Sequence, residues 1–187
     1  MVFMKKAIIV LVLALAVVVF LAMNAFGGGF DQGLAEIRAS EQKNGVTEGF
    51  LVPADKRSLE EYKNDLVFLK RKFGASPALS ELIGVKLGLV ETEEKLFFLV
   101  DEFGKINKLS PNCAPGGEVD TLKSKAGEVK KSFNSVLAKR NSFVKSFPAE
   151  SSRTAEVSAE AFQSTVQGAN RGVDKIVEIL DNQCMFD

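Results

Sequence analysis

Four segments of this chain hold a 3-4 alternation of apolar residues without losing phase, the spacing that draws one continuous stripe down an α-helix. The first runs Leu59, Tyr62, Leu66, Leu69, Phe73, and the second Leu82, Val85, Leu89, Thr92, Leu96, Leu99, Phe103, Ile106. The third runs Val119, Leu122, Ala126, Val129, Phe133, Val136, Arg140, Phe143, Phe147, and the fourth Ala155, Ala159, Phe162, Val166, Ala169, Val173, Ile176, Leu180. A shorter stripe, Phe30, Leu34, Ile37, adds a first helix. A one-sided helix must bury its stripe against another element, and short connections make neighbours antiparallel. The expected fold is therefore an all-α antiparallel bundle of four to five helices. Three of them are long, at about 30 residues and about 45 Å each. No segment reads as a credible strand.

Boundary residues agree with the stripes. Ser58 and Glu61 form an S-x-x-E capping box, and Gly74 stands where a left-handed C-terminal residue is expected. Ser76-Pro77 restarts the helix, while Asn44 to Asp55 and Ser110 to Gly117 read as loops. Phe147-Pro148 marks a sharp turn, with the proline at the first position of the last helix.

Ahead of the bundle, Lys5-Lys6 precedes an apolar run from Ala7 to Met23. Extended through Phe26, the run supplies about 30 Å of helix, enough to cross a hydrocarbon core. The preferred reading is a retained single-pass anchor over 1–26 with a cytoplasmic N-terminus. A Gly27-Gly28-Gly29 linker and an extracytoplasmic domain over 30–187 follow. The alternative is a secreted protein cut after Gly27, with small Ala25 at the −3 position. Beyond this leader, 22 basic residues face 24 acidic ones, which gives no global attraction for nucleic acid. The chain has no histidine, no tryptophan, one tyrosine and two cysteines among its 187 residues. That composition removes most of the usual parts for acid–base, nucleophilic and transition-metal chemistry. The expectation is a non-enzymatic protein without cofactor or metal.

If Pro148 is the apex of a helical hairpin, Cys113, 35 residues before it, and Cys184, 36 residues after it, return to one end of the bundle. An even cysteine count in an exported chain points to a disulfide. Charge supports the same hairpin: residues 118–147 carry seven basic and three acidic side chains, and residues 148–187 carry three basic and seven acidic. Complementary flanks of this kind select helix partners. Reflection about Pro148 pairs Arg140 with Glu156 as an ion pair at the bundle edge. The same reflection brings Ala126 level with Ala169. Small residues facing each other allow close helix approach, or leave a layer that could take a small apolar ligand.

Leu96-Phe97-Phe98-Leu99-Val100 sets five apolar residues around every side of one helix. Either neighbours surround that helix, or an apolar patch centred on Phe97 or Phe98 receives another protein. Glu91, Glu93 and Glu94 spread around their helix and read as a solvated face. Taken together, these residues predict a membrane-tethered interaction or scaffold module with another envelope protein as partner. The alternative is a bundle that binds a small apolar ligand.

Overall fold

The computed structural model describes residues 29–46, 52–108, 114–154, 157, 160–182, 185 and 186, and among them the chain is mostly helical. Ala7–Met23 lies outside the described residues; among those described, no helix is long and apolar enough to cross a membrane. Residues 29–43 form α1, so Gly29 is already helical. Then come α2 (Lys56–Lys72), α3 (Pro77–Asn107), β1 (Ala114–Pro115), α4 (Gly116–Ser146), the single-turn α5 (Pro148–Ser151), α6 (Glu160–Asp181) and β2 (Met185–Phe186).

The stripes become the core. Phe30, Leu34 and Ile37 of α1 are buried, as are Leu59, Tyr62, Leu66 and Leu69 of α2. In α4 the buried series is Val119, Leu122, Ala126, Val129, Phe133, Val136 and Phe143, and in α6 it is Phe162, Val166, Val173 and Leu180.

Several boundaries differ from the sequence reading, each for a local reason. Helix α2 starts before Ser58, because the Asp55 carboxylate caps it by accepting from the Ser58 amide at 2.9 Å. That hydrogen bond also holds the Asp55 carboxyl below its ordinary pKa. Gly74 is not left-handed; the one described residue with positive φ is Gly45, at 72°. Gly45 closes α1 in a Schellman pattern, its amide bonding Gln42 O while the Val46 amide bonds Glu41 O. Gly116 and Gly117 belong to α4 and not to the preceding loop. Pro148 opens α5 and not the last helix, because hydroxyls divert the backbone there. Ser151, Ser152 and Thr154 donate to Pro148 O, Ala149 O and Ser151 O, an alternative to helix continuation. Consequently α6 spans 22 residues, shorter than expected.

Side-chain pairs set the helix directions. Lys72 meets Glu36 and Lys43 meets Asp65, so α1 and α2 are antiparallel. Lys63 bonds Glu94 and Lys56 bonds Asp101, which makes α2 antiparallel to α3. Gly33 lies against Leu79 and Glu41 reaches Lys86, so α1 runs parallel to α3. Lys95 donates to Ser132, and Gly88 lets Val136 approach, which places α4 antiparallel to α3. Lys123–Asp181 and Lys130–Asp174 bind α4 to α6 as an antiparallel hairpin through the charge complementarity of the two segments. The connection after α5 turns back onto α1, where Arg153 pairs with Asp31 at 2.8 Å and Arg38 donates to Arg153 O.

The bundle thus has two poles. One gathers the starts of α1 and α3 with the ends of α2 and α4. The other gathers the start of α2, the end of α3, the start of α4 and the end of α6. At this second pole β1 and β2 pair in parallel, Ala114 with Met185 and Pro115 with Phe186, a ladder absent from the sequence expectation.

Packing of two glycines yields a paired prediction. A Cβ at Gly33 would sit 2.4 Å from Leu79 Cδ1, a fully buried side chain, whereas a Cβ at Gly84 meets nothing within 4 Å. Gly33→Ala should lower stability, because overpacking costs about 1–3 kcal/mol against a helix-propensity gain of about 1 kcal/mol. Gly84→Ala should raise it by about 0.5–1 kcal/mol. Urea denaturation of the two variants checks both signs.

Candidate functional site

Helix α3 changes character along its length. From Ala78 to Thr92 it buries Ala78, Leu79, Leu82, Ile83, Val85, Lys86, Gly88, Leu89, Val90 and Thr92, residues pointing in almost every direction, while beyond Thr92 only Leu99 and Ile106 are buried. The cause is the length of α1, which stops at residue 43, close after the Glu41–Lys86 contact. The apolar girdle therefore divides: Leu99 is buried, Leu96 and Phe97 pack partly on the core, and Phe98 and Val100 are 50% and 48% exposed.

Phe98 stands between two grooves along the α3–α4 seam. One, of about 590 Å³, is lined by Lys63, Glu91, Glu94, Lys95, Lys125, Glu128 and Val129 together with Phe98. The other, of about 330 Å³, continues toward the second pole past Glu102, Lys105, Ile106, Thr121 and Leu122. Phe98 supplies the exposed apolar surface, the buried Val129, Ile106 and Leu122 form the groove floors, and most of the charges beside them are held by partners. Lys63 bonds Glu94 at 2.7 Å, Lys95 donates to Ser132 at 2.8 Å, Lys125 meets Glu128 at 3.6 Å and Lys105 pairs with Glu102. Phe97 faces the α2 side, where it lines a groove of about 400 Å³ with Leu59 and Asn64, and the Lys56 ammonium lies 6.0 Å from its ring centroid.

The acidic cluster is split by the helix. Glu91 is exposed and Glu94 is paired, but Glu93 is half-buried, and desolvation pushes its carboxyl above the usual range. Arg140 does cross to the returning segment, where its Nε donates to Val157 O at 2.9 Å and its Nη1 to Asn141 Oδ1 at 3.0 Å. Glu156, its expected partner, lies outside the described residues, as do Cys113 and Cys184. Ala126 is fully buried and Ala169 partly so, but the ion pairs set a different register from reflection about Pro148. Lys123 faces Asp181 and Lys130 faces Asp174, which carries Ala126 toward Glu178 and Ala169 toward Ser135. The residues spent in α5 and the turn after it shift the hairpin, and neither alanine lines the grooves beside Phe98.

A buried ionic junction escaped the sequence reading. Lys86 is 3% exposed and bonds Glu41 at 2.5 Å, while the fully buried Tyr62 donates its hydroxyl to the same Glu41 oxygen at 3.0 Å. One residue each from α1, α2 and α3 thus meets in the interior. Next to them Ser40, Lys43 and Asn44 all donate to Asp65. Burial acts to raise the Asp65 pKa, but these hydrogen bonds outweigh it and the carboxyl sits below its ordinary value. The available signal was Lys86 itself, one charge inside the apolar stretch Leu82–Val90.

Comparison with protein-family models, with characterised proteins and with solved structures gives no match for this chain.

Three outcomes follow from the charged groups. Lys86→Met should cost up to about 3–5 kcal/mol, since it takes the cation away from a carboxylate whose side chain is only 14% exposed. Removing Arg57 from its exposed pair with Glu61 should change stability by no more than about 0.5 kcal/mol; chemical denaturation separates the two. Glu93 has a folded pKa above its unfolded one, so it favours the fold fully below the unfolded value, and that contribution is lost as pH rises through the folded value. Glu93→Gln should therefore be more stable than the parent at neutral pH, with the advantage vanishing as pH falls through the carboxylate range in a Tm-versus-pH series.

Proposed function

We propose that this protein is a non-enzymatic interaction module, held at the cell membrane by residues 1–26, whose contact surface is the α3–α4 seam around Phe98. The observation that carries the reading is an aromatic side chain half-exposed between two grooves on a rigid helical seam. Monomeric surfaces leave single apolar residues exposed, but here the exposed ring stands between two grooves walled by paired charges, a form that can receive a helix. From Glu91 to Ile106 the grooves run about 22 Å at 1.5 Å per residue, room for about four turns of a partner helix. The partner is an amphipathic helix of another envelope protein, its apolar stripe laid over Phe98. The ion pairs on the groove walls favour a partner with mixed charges flanking its stripe.

A photo-crosslinking residue introduced beside Phe98 in the native membrane tests the proposal. Crosslinks should map to one amphipathic helical peptide. They should be lost in Phe98→Glu and kept in Phe68→Glu, since Phe68, 61% exposed, lies on α2 away from this seam. Tm should stay unchanged in Phe98→Glu. Crosslinks that survive Phe98→Glu would remove the seam as the contact surface. Phe97→Glu is expected to lower Tm, because that ring packs against the core.

A further inference from the structure

We propose that Cys113 and Cys184 are joined by an intramolecular disulfide that clamps the second pole of the bundle. The inference rests on the described residues that follow each cysteine. Ala114 pairs with Met185 and Pro115 with Phe186 in a parallel ladder. In sequence Cys113 directly precedes Ala114 and Cys184 directly precedes Met185, so each cysteine is one residue from a member of the first pair of a parallel ladder. Paired strands lie about 4.8 Å apart, within the Cα separation of about 4.4–6.8 Å that a disulfide spans.

A second observation brings the same positions together. The Lys123–Asp181 ion pair and the fully buried Leu180 fix the end of α6 beside the first turns of α4. Position 184 is three residues beyond Asp181, and position 113 is three residues before Gly116, where α4 begins. A two-residue ladder has too few hydrogen bonds to persist alone. Met185 adds little burial, being 47% exposed. A covalent link one residue upstream supplies the missing restraint.

Formation needs an oxidant, which an exported chain meets as the disulfide of a thiol–disulfide oxidoreductase. One cysteine thiolate attacks that disulfide to give a mixed disulfide and releases one oxidoreductase thiol. The other thiolate then displaces the second. The two protein thiols lose their protons and two electrons in all, and the oxidoreductase disulfide is reduced to two thiols. This inference is independent of the seam at Phe98.

The test uses the full chain extracted with thiols blocked and no reductant. The expected product is a chain lighter than the reduced sequence by two hydrogen atoms, with a peptide linking position 113 to 184, and reductant should lower Tm by on the order of 10 °C. Cys113→Ser should leave Cys184 open to maleimide while helical circular dichroism persists. Alkylation of both cysteines in the folded chain after incubation with an oxidised oxidoreductase would overturn the proposal, as would a bond between two chains. An unchanged Tm on reduction would overturn the clamp.

Discussion

The first half of α3 is apolar on nearly every side, and that single demand organises the bundle. A helix of this kind reaches low free energy only when other helices enclose it, and α1, α2 and α4 do so from Ala78 to Thr92. Glycine at 33 and 88 lets α1 and α4 come close enough to do it. Past the end of α1 the enclosure is incomplete, and the same helix shows its apolar side chains to solvent at Phe98 and Val100. Core and candidate surface are two ends of one helix, and the length of α1 separates them.

Lys86 and Glu41 lie within that enclosed half. Taking an ammonium and a carboxylate out of water is expensive, and their attraction offsets this only with good geometry and further hydrogen bonds, such as the one from Tyr62. An apolar trio of the same volume would hold the three helices together at least as well. What the ionic trio adds is position: the charges meet in one register of α1 on α2 and α3, and a slip by one turn would strand both. The neighbouring Asp65 cluster acts at the surface end of the same seam.

The helical class and the burial of Phe30, Leu34, Leu59, Leu66, Phe133 and Phe162 could be read from periodicity, because apolar spacing reports which face must leave water. The hairpin was legible through charge, since Lys123 and Lys130 do meet acidic residues of the returning helix. Its register was not. Pro148 signals a break, but how many residues the break consumes depends on Ser151, Ser152 and Thr154 bonding back to the backbone, and no spacing rule encodes that. Ser58 made a plausible cap that Asp55 displaced by lying one turn earlier with a charge suited to the helix start. Phe98 stands out in the sequence as one of five consecutive apolar residues, yet its separation from Phe97 depends on the position of α2. A lysine on a long helix is ordinarily solvated, and only the packing of neighbouring helices on α3 takes Lys86 out of water.

The start of α1 lies at one pole and the β1–β2 ladder at the other, about 46 Å away along the 31-residue α3. Because α1 runs lengthwise between α2 and α3, a pull on its first residue directed away from the bundle is carried in shear. Glu36–Lys72, Glu41–Lys86 and Lys43–Asp65 all bear load at once, and none can be peeled off singly. A tether attached at residue 29 is therefore mechanically strongest along the long axis of the bundle.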